Sequence, residues 1–351
     1  MRPPCSADDG SNLAALVARQ FAERPSADAE PGNPPATLAD ELWQRSLLGP
    51  ANDFLQRPGK QLRARLCGAA WSLAGGDVGG PPPELPAIVE LFHAGSLIVD
   101  DIEDGSPLRR GQQALHVRHG VPLALNTGNW LYFVALDLLG RLPLPAEVRL
   151  ALYRAASTTL VRCHQGQALD LALSIGAVPA PQLADVVAMT TQLKTASLME
   201  LSATAGALAA GGARAVVAAL GGFGGELGIA LQMLDDLGGL GAARRHKGRE
   251  DLRLLRPTWP WAWLSEDGPG RVRDLLSLLD DALALPGETA KADAALDRVC
   301  EALAGAVGER GRARSRQRLG AAWQRLAAAV GPSDVLDALG REVARLEESY
   351  G

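Results

Sequence analysis

Cysteine is sparse and scattered in this chain. The four cysteines, Cys5, Cys67, Cys163 and Cys300, never form a CxxC pair. Their spacing argues against a disulfide framework and a cysteine-built zinc site, and it fits a reducing cytoplasm. Excess positive charge is also missing. The formal net charge is −5 at pH 7, so nucleic acid is not an expected partner. No unbroken run of 18 apolar residues occurs, and the N-terminus lacks a hydrophobic signal core. A soluble protein without a membrane span is therefore expected. Strand-type alternation and fixed-period repeats are absent as well.

What is present is helical periodicity. Apolar residues make up 47% of the 351 positions, enough for a sizeable core. From residue 37 onward, apolar residues recur at helical spacing in segments bounded by proline or glycine. Several segments are apolar on nearly every face, which predicts helices packed in the middle of a bundle. Residues 1–36 are rich in Pro, Ala, Ser and Gly and are expected to be a disordered tail. Within them, "SNLAALVARQFAE" has the pattern of a short helix. The tail reads as dispensable, with a docking segment for another protein as the alternative. The tryptophans of "PTWPWAW" (Trp259, Trp261, Trp263) read as core packing.

Two acidic clusters end apolar helical stretches: Asp100-Asp101-Ile102-Glu103-Asp104 and Asp235-Asp236. Asp100 and Asp104 are one helical turn apart and share a face. Carboxylates so crowded repel one another unless cations hold them. Hard oxygen ligands without nearby cysteine or histidine point to Mg²⁺, which takes one or two carboxylates and completes its shell with water and phosphate oxygens. Cations flank the acids: Lys60, Arg63, Arg109, Arg110, Lys194, Lys247 and Arg256. Arginine makes forked contacts to phosphate. Together this is an inventory for two diphosphates, one bridged by metal and one bound directly.

Gly59-Lys60-Gln61-Leu62-Arg63 forms a GKxxR segment. DDxxD followed by RRG occupies Asp100–Asp104 and Arg109-Arg110-Gly111. GQxxD lies at Gly166–Asp170, and a KT pair at Lys194-Thr195. FGxxLGxxxQxxDD runs from Phe223-Gly224 through Gln232 to Asp235 and Asp236. In this order, over about residues 40–350, the chain resembles the trans-isoprenyl diphosphate synthases of the polyprenyl synthetase family. It looks most like the geranylgeranyl diphosphate synthases among them.

That resemblance implies one catalytic domain over residues 37–351, an all-α bundle around a deep central cavity. It implies Mg²⁺-dependent head-to-tail transfer of an allylic prenyl group to isopentenyl diphosphate, in a protein that is usually a homodimer. By the same resemblance Asp100, Asp101, Asp104, Asp235 and Asp236 hold about three magnesium ions on the allylic diphosphate. Arg109, Lys194, Thr195, Gln232, Lys247 and Arg256 contact that substrate, and Lys60, Arg63, His93 and Arg110 bind isopentenyl diphosphate. His93 lies two helical turns before Asp100 on nearly the same face. The chain departs from the pattern in two places: Gly239 stands where the fuller second motif has a third acid, and Arg256 where lysine is usual. Gly95 and Ser96, just before the aspartates, are expected to leave a prenyl shaft open to twenty carbons, with Phe92, Tyr132 or Phe133 as its floor. On that expectation Gly95→Phe shortens the product. Two other readings stay open: a class I terpene cyclase or lyase, and a weakly active subunit or interaction protein.

Overall fold

Apolar periodicity sets the helices, and proline and glycine set their ends. The computed structural model describes residues 9–22, 36–285 and 289–350. In chain order the helices are α1 (Asp9–Ala22), α2 (Ala36–Trp43), α3 (Gly49–Leu55), α4 (Leu62–Leu73), α5 (Glu84–Glu103), α6 (Leu115–His119), α7 (Val121–Arg141) and α8 (Ala146–Ala172). They continue as α9 (Leu183–Thr191), α10 (Ser197–Ala209), α11 (Arg214–Leu240), α12 (Arg245–Arg253), α13 (Trp259–Ser265), α14 (Pro269–Leu283), α15 (Ala290–Val330) and α16 (Asp334–Tyr350). Among the described residues, strand is confined to a hairpin pairing Leu108–Arg109 with Gln112–Gln113. The all-α expectation holds. The chain forms two compact units: Met1–Arg65 with Pro81–Tyr153, and Leu66–Gly80 with Arg154–Gly351.

The first unit is organised by α5 against α7. Leu85, Ile88, Phe92, Gly95 and Ile98 form the buried stripe of α5, at the spacing that keeps one helix face inward. Two glycines let the helices approach. A Cβ on Gly95 would lie 2.7 Å from the Gly128 carbonyl oxygen and 3.3 Å from the Tyr132 ring. This corrects the sequence reading of Gly95 as an open stretch of prenyl shaft. The position is filled by α7, and Tyr132 is part of that contact. Phe133 is 68% exposed, so it does not floor a cavity within this unit. Ser96, on the face shared with Asp100, remains only partly buried.

Within the stretch expected to be a disordered tail, Asp9–Ala22 is helix α1. Ala14 and Val17 are buried. Phe21 meets Trp43 and Trp130 edge-on, at centroid distances of 5.3 and 6.4 Å. Arg19 bonds Glu84 at 3.1 Å. The spacing 14, 17, 21 is that of one apolar helical face, which burial stabilises more than local propensity does. The rest of the expected tail, residues 1–8 and 23–35, lies outside the described residues.

The second unit packs α11 against α10 and α15. By length and composition α11 could cross a membrane, but 56% of its most apolar window is buried within the protein, as in a core helix. Its glycines bring backbones close: a Cβ on Gly228 would lie 2.8 Å from Cα of Ala196. Trp259, Trp261 and Trp263 are buried, as core packing predicts. An ionic ladder straps α12 to α15. Arg249 bonds Asp293 (2.6 Å) and Asp297 (2.8 Å), Arg253 bonds Asp293, and Arg245 bonds Glu301 at 3.3 Å.

Two expectations follow from this packing. Removing residues 1–22 should lower the melting temperature by about 5 °C or more, because the first unit loses Ala14, Val17 and Phe21 from its packing. Thermal denaturation checks this, and an unchanged midpoint would contradict the packing of α1. Gly95→Phe should destabilise by about 3 kcal/mol or more through overpacking, with a drop in melting temperature that precedes any effect on product.

Candidate active site

The first acidic cluster occupies the last turn of α5, where the helix dipole disfavours negative charge. Neighbouring residues divide its members. Asp100 and Asp104 stay partly exposed. Asp101 is 1% exposed. Burial pushes its carboxyl up, and the Arg109 guanidinium opposes this. Arg109 donates to Asp101 Oδ1 from Nε at 2.7 Å and from Nη2 as well, and it stands 3.8 Å from Asp100. Asp101 Oδ2 has no hydrogen-bond partner.

The hairpin after α5 turns through Arg110 and Gly111, both at positive φ (54° and 76°). Arg110 donates from Nη1 to the Arg57 carbonyl at 3.2 Å. Its guanidinium lies 5.7 Å from the Phe54 ring centroid. Gly59 of the GKxxR segment lies against it: a Cβ there would come within about 3.0 Å of that guanidinium. Gln61, next to Lys60, also has positive φ (44°), and backbone strain of this kind often gathers at functional sites. Burial lowers the pKa of His93 well below its usual value, and the charges of Arg63, Arg110 and Arg109 lower it further. The imidazole is therefore neutral at physiological pH. A cleft of about 350 Å³, its open mouth included, is lined by Leu13, Arg57, Gly59, Gln61, Glu90 and Arg110 among others. The first unit thus gathers Lys60, Arg63, His93, Arg109, Arg110 and the first aspartates.

The second unit gathers the remaining predicted residues. Lys194 and Thr195 sit on a π-helical turn, Gln192–Ala196, of the kind often found at functional sites. Gly166 of GQxxD has no room for a Cβ, because the Lys194 backbone lies against it. Lys194 Nζ donates to Asp170 Oδ2 at 2.6 Å, and Arg256 lies 3.4 Å from the same oxygen. Thr195 donates to Gln232 Oε1 at 3.1 Å, and Gln232 Nε2 donates to Asp236 Oδ1 at 2.8 Å. The Trp259 N–H donates to Asp236 Oδ2 at 2.9 Å. Burial, with the Asp251 charge adding to it, pushes the Asp236 carboxyl up to about 7. Asp235, partly exposed, accepts from Arg244 at 2.5 Å and from Lys247. Gly239, in place of a third acid, is buried against α12, where a Cβ would lie 3.3 Å from the Gly248 nitrogen. A side chain there would need α12 to shift by a few tenths of an ångström.

Among the described residues, no three carboxylates, histidines or cysteines converge on one point. In each unit taken by itself, the partly exposed oxygens, those of Asp100 and Asp104 in the first and of Asp235 in the second, fit an ion that draws most of its shell from water and phosphate, as Mg²⁺ does, and not an all-protein cage. Asp101 and Asp236, also expected as ligands, are turned inward in this structure and committed to Arg109 and to Gln232 with the Trp259 N–H.

Residues 44–284 match the polyprenyl synthetase family model. The chain belongs to that family. It is 37% identical, over 182 residues, to the geranylgeranyl diphosphate synthase of Mycobacterium tuberculosis, with 52% of this chain and 51% of that one aligned. It spans about half the length of the curated relatives it matches. Among solved structures, geranylgeranyl pyrophosphate synthase from Lactobacillus brevis superposes with a TM-score of 0.72 at 22% identity, over 97% of this chain and 95% of that one. A polyprenyl synthase from Caulobacter crescentus, solved with calcium and isoprenyl diphosphate, superposes with a TM-score of 0.70 at 26% identity, over 99% and 98%. The helical architecture is that of these synthases.

For this polyprenyl synthetase family member, sequence reasoning missed Asp170 as the partner of Lys194 and Arg256, although GQxxD contains it. It also missed Arg244 on Asp235, Asp251 with its raised carboxyl, and the Trp259 N–H. Backbone donors and ion pairs between distant segments leave no spacing signal. The Asp236 environment predicts a pH dependence. Between about 4 and about 7 the folded protein keeps a proton that the unfolded chain has lost, so this group's contribution to stability falls as pH rises through that window and is level above it. Asp236→Asn should remove that slope. Its melting temperature relative to wild type should rise from pH 5 to pH 7.5, and a constant difference would refute the assignment.

Proposed function

We propose that this chain catalyses Mg²⁺-dependent head-to-tail condensation of isopentenyl diphosphate with an allylic diphosphate, giving geranylgeranyl diphosphate. The observation that carries this reading is the placing of Arg63 and Arg110 in one unit with His93, whose imidazole is held neutral by burial and by their charges. It supplies donors for a second diphosphate, which a cyclase working on one substrate does not need. Curated relatives named as geranylgeranyl diphosphate synthases support it. So does the related polyprenyl synthase solved with calcium and isoprenyl diphosphate.

Asp100, Asp104 and Asp235 would hold magnesium, about three ions by family analogy, and the metal would supply charge neutralisation for the leaving diphosphate. Lys194, Lys247 and Arg256 would take allylic diphosphate oxygens, exchanging their present carboxylate partners for phosphate. Arg63, Arg110 and Lys60 would hold isopentenyl diphosphate so that its double bond meets the allylic cation as it forms. Neutral His93 would donate one hydrogen bond without adding charge. The departing diphosphate would accept the proton lost on coupling, so no protein base is required. The chain's share of the catalysis is positioning, charge stabilisation and exclusion of water. Residues 37–351 would carry this chemistry, in a cytoplasmic homodimer, with α1 as part of the first folded unit.

Incubation with isopentenyl diphosphate, an allylic primer and Mg²⁺, followed by chromatography of the dephosphorylated products, tests the proposal. A linear twenty-carbon alcohol is expected, and cyclised hydrocarbons or no product would overturn the reading. Asp100→Ala and Asp235→Ala should each lower turnover by about three orders of magnitude or more, with unchanged helical circular dichroism. EDTA should abolish turnover while leaving the melting temperature in place, because the fold's inward carboxylates are held by protein donors. Turnover near normal in either variant would remove the metal assignment.

A further inference from the structure

Arg57 lies outside every motif named above, yet it is 3% exposed. Its Nε donates to the Asp53 carbonyl at 3.2 Å, and its Nη1 donates to the Arg109 carbonyl at 3.4 Å. In return, Arg110 Nη1 donates to the carbonyl of Arg57 at 3.2 Å. Both guanidinium groups lie by the ring of Phe54, at 5.4 and 5.7 Å from its centroid. Residue 57 and the 109–110 turn are thus tied in both directions, side chain to backbone each way. The tie holds a turn in which Arg110 adopts left-handed backbone geometry, disfavoured for a residue with a side chain. The counter-charge comes from Asp53, whose carboxylate lies 3.5 Å from Arg57 and is anchored by Arg118 (2.9 Å) and His119 (3.0 Å).

A guanidinium is costly to bury, and an apolar side chain of similar volume would fill the same space without that cost. What an apolar chain cannot supply is the donor to the Arg109 carbonyl. We infer that Arg57 is a positioning residue that fixes the Arg109-Arg110 turn and so aims the Arg110 guanidinium at the diphosphate of the homoallylic substrate, isopentenyl diphosphate. The role assigned to Arg110 rests on the proposed function, while the tie itself rests on geometry alone.

The test uses Arg57→Met, Arg57→Lys, Arg110→Ala and the double variant Arg57→Met/Arg110→Ala in the full chain. Arg57→Met should raise KM for isopentenyl diphosphate about ten-fold, the loss of roughly one charge-assisted contact. KM for the allylic substrate and kcat should change less than about two-fold. Arg57→Lys should not rescue, since one ammonium cannot reproduce the fork that reaches two carbonyls. The double variant should bind isopentenyl diphosphate no worse than Arg110→Ala alone, because the first residue acts through the second. Amide hydrogen exchange over residues 108–113 should quicken in Arg57→Met while that of α7 stays unchanged. Additive losses in the double variant, equal effects on both substrates, or full rescue by lysine would overturn the inference. Unchanged exchange in the hairpin would overturn the tie. If Arg110→Ala itself left KM for isopentenyl diphosphate unchanged, the functional reading would fall and the substrate role of Arg57 with it, whatever the exchange data gave.

Discussion

Carboxylates turned towards apolar helices survive in this protein because a guanidinium, an ammonium or an amide N–H reaches them. Asp101 has Arg109, Asp170 has Lys194 with Arg256, and Asp236 has Gln232 and the Trp259 N–H. An unpaired buried carboxylate would take up a proton or unfold its surroundings. Asp236, held only by neutral donors, shows the tension most clearly in its raised carboxyl. The pairing also determines where the cations can be. Lys194, Arg256 and Arg109 are stationed beside acids, each within the same unit as a partly exposed aspartate. Exchanging a carboxylate partner for a phosphate keeps the count of charge-assisted bonds roughly constant.

Backbone proximity is the second constraint, and it explains glycines that charge does not. Gly95 and Gly128 let α5 and α7 touch, Gly166 makes room for the π-helical turn that carries Lys194 and Thr195, and Gly228 packs on that turn from α11. Gly95 lies two residues from His93, Gly166 four from Asp170 and Gly228 four from Gln232. Close approach there fixes the helix from which each of these polar groups projects, so a side chain added at the glycine would displace the group along with the helix. Gly239 belongs to the same class. Where the second motif lacks its third acid, α11 comes close to α12.

The helical class, the two acidic helix ends and the cation inventory were legible because each rests on residue type at short spacing. Periodicity also marked α1, although the composition around it suggested disorder. The pattern of apolar residues at 14, 17 and 21 outweighs the proline-rich flanks once there is a surface to bury it. Gly95 was misread for the opposite reason. A small residue before the aspartates suggests open space, and sequence alone cannot tell space left for a ligand from space taken by another helix. Arg57 was illegible because its partners are carbonyl oxygens 52 residues away, and backbone acceptors leave no residue-type signature. Asp170 was visible in its motif but lacked a role until its partners were known.

The two aspartate doublets illustrate what sequence can and cannot divide. Consecutive residues on a helix point about 100° apart, so two adjacent carboxylates cannot both face one ion from the same side. In each doublet the first member stays partly exposed and the second is buried: Asp100 beside Asp101, Asp235 beside Asp236. The buried member is then tied to a different element from its own helix, Asp101 to the hairpin through Arg109 and Asp236 to the start of α13 through the Trp259 N–H. A doublet therefore does two jobs with one helical turn. The exposed carboxylate meets side-chain cations, Arg109 beside Asp100 and Arg244 with Lys247 at Asp235, while the inward one fixes the helix end against its neighbours. Replacing the second aspartate would loosen the position of the first even where it touches no ligand, which makes both members necessary for different physical reasons.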